Sequence, residues 1–195
     1  TALFDENGEK SADFDAVLTV DGAYKAADFI NFCDAYDIPI LSLTNVKGYA
    51  ADVRSEKSIA KAVAKLTYAF ANANVPKVNV ITGEAYGSAY VTMNSKALGA
   101  DVTYAWPDAS IGMMDANEAA KIMYADDIAK SADVQSVISE KAAEYAALQS
   151  GVESAAARGY VDTIINPEDT RKYVAAAFEM LYTKREDRPD KKHGT

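Results

Sequence analysis

The chain has 195 residues, 49% hydrophobic and 25% charged, which is the composition of an ordinary folded domain and not of a disordered or fibrous one. Twenty Lys and Arg stand against 29 Asp and Glu, and the resulting formal net charge of −9 disfavours a nucleic-acid backbone or an anionic membrane surface as partner. One cysteine, Cys33, and one histidine, His193, exclude an internal disulfide and a cysteine zinc cage and leave little room for histidine chemistry.

In chain order, a polar opening from Asp5 to Asp13 precedes a short β-prone run, Ala16 to Val20. The absence of an initiating Met reads as residues missing upstream. Asp21 then predicts the N-cap of a helix from Gly22 to Tyr36, with Ala26, Phe29, Ile30 and Cys33 on one face. Ile38 to Thr44 is apolar, too short for a helix and bounded by Pro39 and Asn45, so it reads as a buried strand followed by a glycine loop. From Ser55 to Asn74 the residues Ile59, Ala62, Val63, Leu66, Phe70 and Ala73 repeat at helical spacing. The unit recurs: strand Lys77 to Thr82, loop Gly83 to Gly87, helix Ser88 to Leu98. Val102 to Trp106 predicts another strand, closed by Pro107, and Asp115 with Glu118 predicts a capped helix to Tyr124. A long helix over Val134 to Gln149, a β-like run from Tyr160 to Ile165 and a last helix opened by Asn166-Pro167 complete the pattern. Strands alternating with helices predict an α/β fold with a mainly parallel sheet. No run of apolar residues suffices for a membrane span and no signal segment is present, so a cytoplasmic setting is expected.

Ligands of such sheets bind at loops beyond the carboxyl ends of the strands. Two loops qualify here, Asn45 to Tyr49 and Gly83 to Tyr90, the second leading into a helix through small residues. Free N–H groups at a helix start, approached closely because the side chains are small, can hold a developing oxyanion. Close packing of helix on strand explains the same glycines, and the pattern alone leaves both readings open.

The segments Ala26 to Asn45, Lys77 to Tyr90, Met93 to Pro107, and Ala155-Ala156-Arg158-Gly159 with Val161-Asp162 are joined by the tail Lys184 to Gly194. Together they resemble the carboxyltransferase family: the carboxyltransferase components of biotin-dependent acyl-CoA carboxylases, transcarboxylase and related acyl-CoA decarboxylases. The resemblance is to the C-terminal of their two crotonase-like halves and runs from about residue 15. It implies a crotonase-like β-β-α spiral over residues 1–183, followed by a charged tail, 184–195, that is expected to be extended. The resemblance further implies that the chain supplies the biotin side of a shared active site, with acyl-CoA as substrate. The partners are an acyl-CoA-binding N-terminal half, a biotin carrier protein that brings the biotin, and further copies in a homo-oligomer. In the family's mechanism carboxybiotin releases CO₂, backbone N–H groups hold the departing ureido oxyanion, and the biotin nitrogen takes the α-proton of the thioester. By motif position the oxyanion donors are Gly48 or Tyr49 in one loop and Ser88 or Ala89 in the other, with Tyr86, Gly87, Tyr90 and Val91 lining the biotin site. Two alternatives stay open, a component of a biotin-dependent decarboxylase and a non-catalytic assembly domain. The second is motivated by Lys47-Gly48-Tyr49 standing where many members have Pro-Gly-Phe.

Plainer readings apply elsewhere. Ser88 invites a nucleophile assignment, but no histidine base accompanies it. Cys33 reads as core. Glu84, Asp126 and Asp127 read as solvated surface and not as metal ligands.

Overall fold

The computed structural model describes residues 2–4, 10–13, 15–131 and 133–186. The expected tail beyond 186, with His193, lies outside them. The strands are β1 (Ala2–Phe4), β2 (Lys10–Asp13), β3 (Val17–Leu18), β4 (Ile40–Val46), β5 (Gly48–Tyr49), β6 (Lys77–Tyr86), β7 (Val102–Ala105), β8 (Ser110–Gly112) and β9 (Thr163–Ile164). The helices are α1 (Val20–Ala35), α2 (Val53–Asn72), α3 (Gly87–Thr92), α4 (Ala116–Met123), α5 (Ala125–Lys130), α6 (Val134–Tyr145), α7 (Val152–Ala157) and α8 (Thr170–Met180). The central sheet runs β4-β6-β7-β9, every pair parallel, and β8 joins the far end of β6. The α/β, parallel expectation therefore holds.

Alternation along the strands sends side chains to two cores. Ile40 and Ile81 face α1 and α2, where Ala23, Ala27, Ile30, Ala62, Leu66 and Phe70 close the larger core. Val78, Val80 and Tyr104 face the other way, onto Val174 and Ala177 of α8. Between β4 and β6 a buried polar pair sits on the face of the first core: Thr44 Oγ1 donates to Asn79 Oδ1 at 2.7 Å.

Several boundaries differ from expectation. Thr19, not Asp21, caps α1, because its hydroxyl accepts the Gly22 N–H at 3.0 Å. Asp21 thereby falls in the first turn, where its carboxylate suits the helix dipole and accepts from Arg54 at 2.8 Å. The buried stripe of α1 is Ala23, Ala27, Ile30 and Cys33, and Phe29 is 61% exposed, because it stands off this 3- and 4-residue spacing, on the opposite side of the helix from Ala27. Cys33 is core, and burial pushes its thiol pKa up. Asp52 caps α2, accepting from the Ser55 N–H at 2.8 Å. Asp115 caps α4 through the Asn117 N–H, while Glu118 turns to Lys121 at 2.8 Å instead of closing a capping box. The helix after 134 changes to a π-helical turn over Ala146–Ser150. Only Thr163 and Ile164 of the predicted last strand pair with β7, and a 3₁₀ turn, Pro167–Asp169, precedes α8. Lys184, the first residue of the expected tail, is anchored in the fold, its Nζ donating to Asp101 Oδ2 at 2.9 Å and to Val75 O at 3.3 Å.

The largest difference concerns β6. Residues 83–86, expected as loop, continue the strand, because β8 pairs with them: Glu84 with Ser110, Ala85 with Ile111, Tyr86 with Gly112. Between Thr44 and Val46 the β4–β6 register shifts, Thr44 facing Ile81 and Val46 facing Ala85. The Asn45 carboxamide fills this irregularity, its Oδ1 accepting the Glu84 N–H at 3.0 Å. A Cβ on Gly83 would stand 2.8 Å from that oxygen, so glycine is what leaves it room. Asn45→Ala strands the Glu84 N–H, and an equilibrium urea titration is expected to show a loss of about 1–2 kcal/mol. An unchanged midpoint would mean the contact contributes nothing net.

Candidate functional site

Two devices bring the glycine segments together. Asn45 ties β4 to β6 as above, and Lys47 Nζ pairs with Glu84 Oε2 at 3.2 Å, so Glu84, expected as solvated surface, is half-buried and engaged. Gly48 and Tyr49, expected as loop, form β5, which pairs in parallel with Val17 and Leu18 of β3 and lies against α3. Two chain segments of unrelated sequence thus flank one short helix.

Beside α3 opens a cavity of about 450 Å³. Gly87, Ser88, Tyr90 and Val91 line it on the α3 side, and Ile111, Gly112 and Met113 extend it from β8. The rest of the wall is supplied by Tyr145 and Gln149 at the end of α6 and its π turn, and by Ala155, Arg158 and Tyr160 around α7. Gly87 sits at φ +58°, the left-handed region, and a Cβ there would lie 3.0 Å from the Met113 carbonyl oxygen. The turn from β6 into α3 therefore requires glycine on two counts. α3 ends early, at Thr92 and not Leu98, because Asn94 is left-handed at φ 55° and the chain turns again through a 3₁₀ segment, Lys96–Leu98.

Of the residues expected at the site, Gly87, Ser88, Tyr90 and Val91 reach the cavity. Ala89 is buried in the core behind it, and Tyr86 is 7% exposed on β6, paired with Gly112. Gly48 and Tyr49 lie beside α3 but do not line the cavity. Ser88 is exposed. Tyr145, Gln149, Arg158 and Tyr160 had no role assigned from sequence, since nothing in the local pattern links residues so distant from Gly87.

Burial sets the chemistry of the two tyrosines. Tyr86 is raised above the ordinary phenol range mainly by desolvation, with the carboxylates of Glu84 and Asp115 adding to the effect and a Ser110 hydrogen bond opposing it. Tyr90 is pushed up to about 12, again by burial first, with Tyr160 adding. Both are neutral donors at physiological pH. The Tyr90 hydroxyl has no hydrogen-bond partner among the described residues. A folded phenol held above its unfolded value near 10 contributes stability that is complete below that value and is lost as pH rises through the folded one. Tyr90→Phe is accordingly expected to move the alkaline unfolding midpoint upward, followed by circular dichroism against pH; a downward shift would contradict the burial of this hydroxyl.

The family profile described as the Carboxyl transferase domain matches residues 10–195. The propionyl-CoA carboxylase beta chain of Saccharopolyspora erythraea is 46% identical over 182 residues, which are 91% of this chain and 33% of that protein. The methylmalonyl-CoA decarboxylase subunit alpha of Propionigenium modestum is 43% identical over 178 residues, 91% of this chain and 34% of that protein. Among solved structures, the transcarboxylase 12S crystal structure superimposes with a TM-score of 0.87 at 42% identity, covering 92% of this chain and 35% of that one. It is a hexamer assembly with methylmalonyl-coenzyme A and methylmalonic acid bound. The chain thus spans about a third of the length of the relatives it matches. The fold is the crotonase-like fold of these carboxyltransferases.

Proposed function

We propose, from the premise that this chain belongs to the carboxyl transferase domain family, that it supplies the biotin-side half of an acyl-CoA carboxyltransferase site in the cytoplasm. The observation that carries the reading is the cavity beside α3, entered where Gly87 and Ser88 start the helix. Its volume of about 450 Å³, its largely apolar lining and the absence of any carboxylate among the described lining residues suit a neutral bicyclic ureido ring. When bound, carboxybiotin supplies the carboxyl group to be moved. Gly87, Tyr86, Tyr90 and Val91 shape the recess that receives the ring, Tyr86 from behind the surface. The N–H groups of Ser88 and Ala89, early in α3 and without intrahelical acceptors, are the donors toward a developing oxyanion, and the family resemblance assigns the second donor to Gly48 or Tyr49 of β5, which lie beside α3 and outside the lining of this cavity. No side-chain acid or base is needed in this arrangement.

The acyl-CoA-binding half, the biotin carrier and a homo-oligomer complete the working unit in this reading. A decarboxylase component uses the same half-site in the opposite direction, and the similarity to a methylmalonyl-CoA decarboxylase subunit keeps that second reading in place. The test is decarboxylation of malonyl-CoA and methylmalonyl-CoA in the presence of free biotin, first by this chain alone and then with a separately produced acyl-CoA-binding half. Turnover only with the added half supports the half-site. Turnover by the chain alone overturns it, and silence in both arms favours a non-catalytic assembly role.

Ser88 provides a sharper check. If its N–H alone acts, Ser88→Ala retains turnover within about tenfold, whereas a larger loss, above roughly 1.4 kcal/mol, would assign a role to the hydroxyl.

A further inference from the structure

The cavity wall around α7 carries a charge. Arg158 is the single charged side chain among the described residues lining the cavity, in a chain whose net charge is −9. Its side chain follows the C-cap of α7 and is exposed, and its guanidinium has no hydrogen-bond or ion-pair partner among the described residues. The carboxylates that flank Tyr86 are engaged elsewhere, Glu84 by Lys47 at 3.2 Å and Asp115 by the Asn117 N–H at 2.9 Å. The same lining includes the Gln149 carboxamide, which has no side-chain partner among the described residues, and Tyr90, whose hydroxyl is buried and likewise meets no partner among them. A planar guanidinium with free donors, in a lining that holds a neutral carboxamide and, among the described residues, no acid, matches the two oxygens of a carboxylate.

We propose that Arg158 receives a carboxylate in this cavity and is the residue by which the site distinguishes a carboxylated ligand from its decarboxylated counterpart. The inference rests on the reading of the cavity as a carboxyl-transfer half-site. The carboxylate has two sources of the same chemistry, the N-carboxylated ureido ring and the free carboxylate of a malonyl-type acyl thioester. In either case the loss of the carboxyl group removes the anion that Arg158 holds, so the spent ligand leaves more readily than the loaded one.

The test is calorimetric titration of the full chain, wild type and Arg158→Gln, with two ligand pairs that each differ by one carboxylate. One pair is methylmalonyl-CoA against propionyl-CoA, in which the CoA phosphates cancel. The other is N-carboxybiotin methyl ester, freshly prepared in mildly alkaline buffer, against biotin methyl ester. The wild type is expected to bind the carboxylated member of one pair about tenfold more tightly or better, as a charge-assisted hydrogen bond predicts. In Arg158→Gln the ratio falls to about one through weaker binding of the carboxylated member alone, and Arg158→Lys restores part of it. The pair that discriminates identifies the source. An exposed guanidinium without partners can be replaced without loss of fold, which a thermal melt of each variant checks. Equal ratios in wild type and Arg158→Gln overturn the assignment of Arg158 while the cavity reading stands. Failure of the wild type to bind any of the four ligands, both alone and with the acyl-CoA-binding half present, overturns the cavity reading and the assignment with it.

Discussion

Replacing Gly87 by valine is expected to cut carboxyl-transfer turnover by about a hundredfold or more, the loss that follows removal of one oxyanion donor. Two features of the turn produce this. Gly87 is left-handed at φ +58°, a conformation that costs an L-residue roughly 1–2 kcal/mol and a β-branched one more. A Cβ would also lie 3.0 Å from the Met113 carbonyl oxygen, which is backbone and cannot swing away as a side chain end would. The strain is relieved by rotating the start of α3, and that rotation carries the Ser88 and Ala89 N–H groups with it. The core behind α3 is formed by Ala89 and Tyr90 within a much larger cluster, so the fold and whatever oligomer the wild type forms are expected to persist. Turnover is measured with the acyl-CoA-binding half present, and assembly by light scattering on the same samples. Unchanged turnover would remove Gly87 from the site. A wild type with no turnover to lose, but with an intact assembly, would favour the assembly reading.

Asp101→Ala is expected to have the largest effect on stability, about 3 kcal/mol, and to lie far from the cavity in its consequences. Asp101 joins three segments: its carboxylate accepts from the Lys77 N–H at 2.8 Å and from Lys184 Nζ at 2.9 Å, with both side chains of the ion pair largely buried. Truncation leaves the Lys184 ammonium in a low-dielectric site with the Val75 carbonyl and Glu186 as its remaining partners, and it strands an N–H at the start of β6. The double variant Asp101→Ala, Lys184→Met should recover part of the loss, because the uncompensated charge goes with it. Chemical denaturation of the four members of this cycle measures the coupling. Strictly additive losses would show that the pair is not energetically linked, and turnover should be unaffected in any folded variant.

The α/β class and most elements were legible because they depend on local information. The stripe Ala62, Leu66, Phe70 of α2 is written at helical spacing, and the apolar runs of β4 and β7 are too short for helices and read as strands; β7 is largely buried, whereas β4, expected to be buried, lies at the edge of the sheet with Leu41 and Leu43 exposed. Caps were less legible where neighbours competed. Thr19 and Asp21 are both good N-caps, and only the fold decides, because the register in which α1 lays its alanines on α2 fixes which residue stands at the boundary. The continuation of β6 past Gly83 was invisible, since a glycine after an apolar run is a break signal until a distant segment, Ser110 to Gly112, comes to pair with it and Asn45 fills the irregularity.

The candidate site divides in the same way. The sequence by itself determined the helix start at Gly87 and Ser88, the small residues around it and the family resemblance that the matching profile bears out, because these reside in contiguous residues. Only the tertiary structure decided that Tyr145, Gln149, Arg158 and Tyr160 close the same cavity, and that Tyr86 and Ala89 turn inward. A cavity wall is assembled from elements whose relative placement follows from packing over the whole core, and no local period or spacing encodes which of their side chains will share one space.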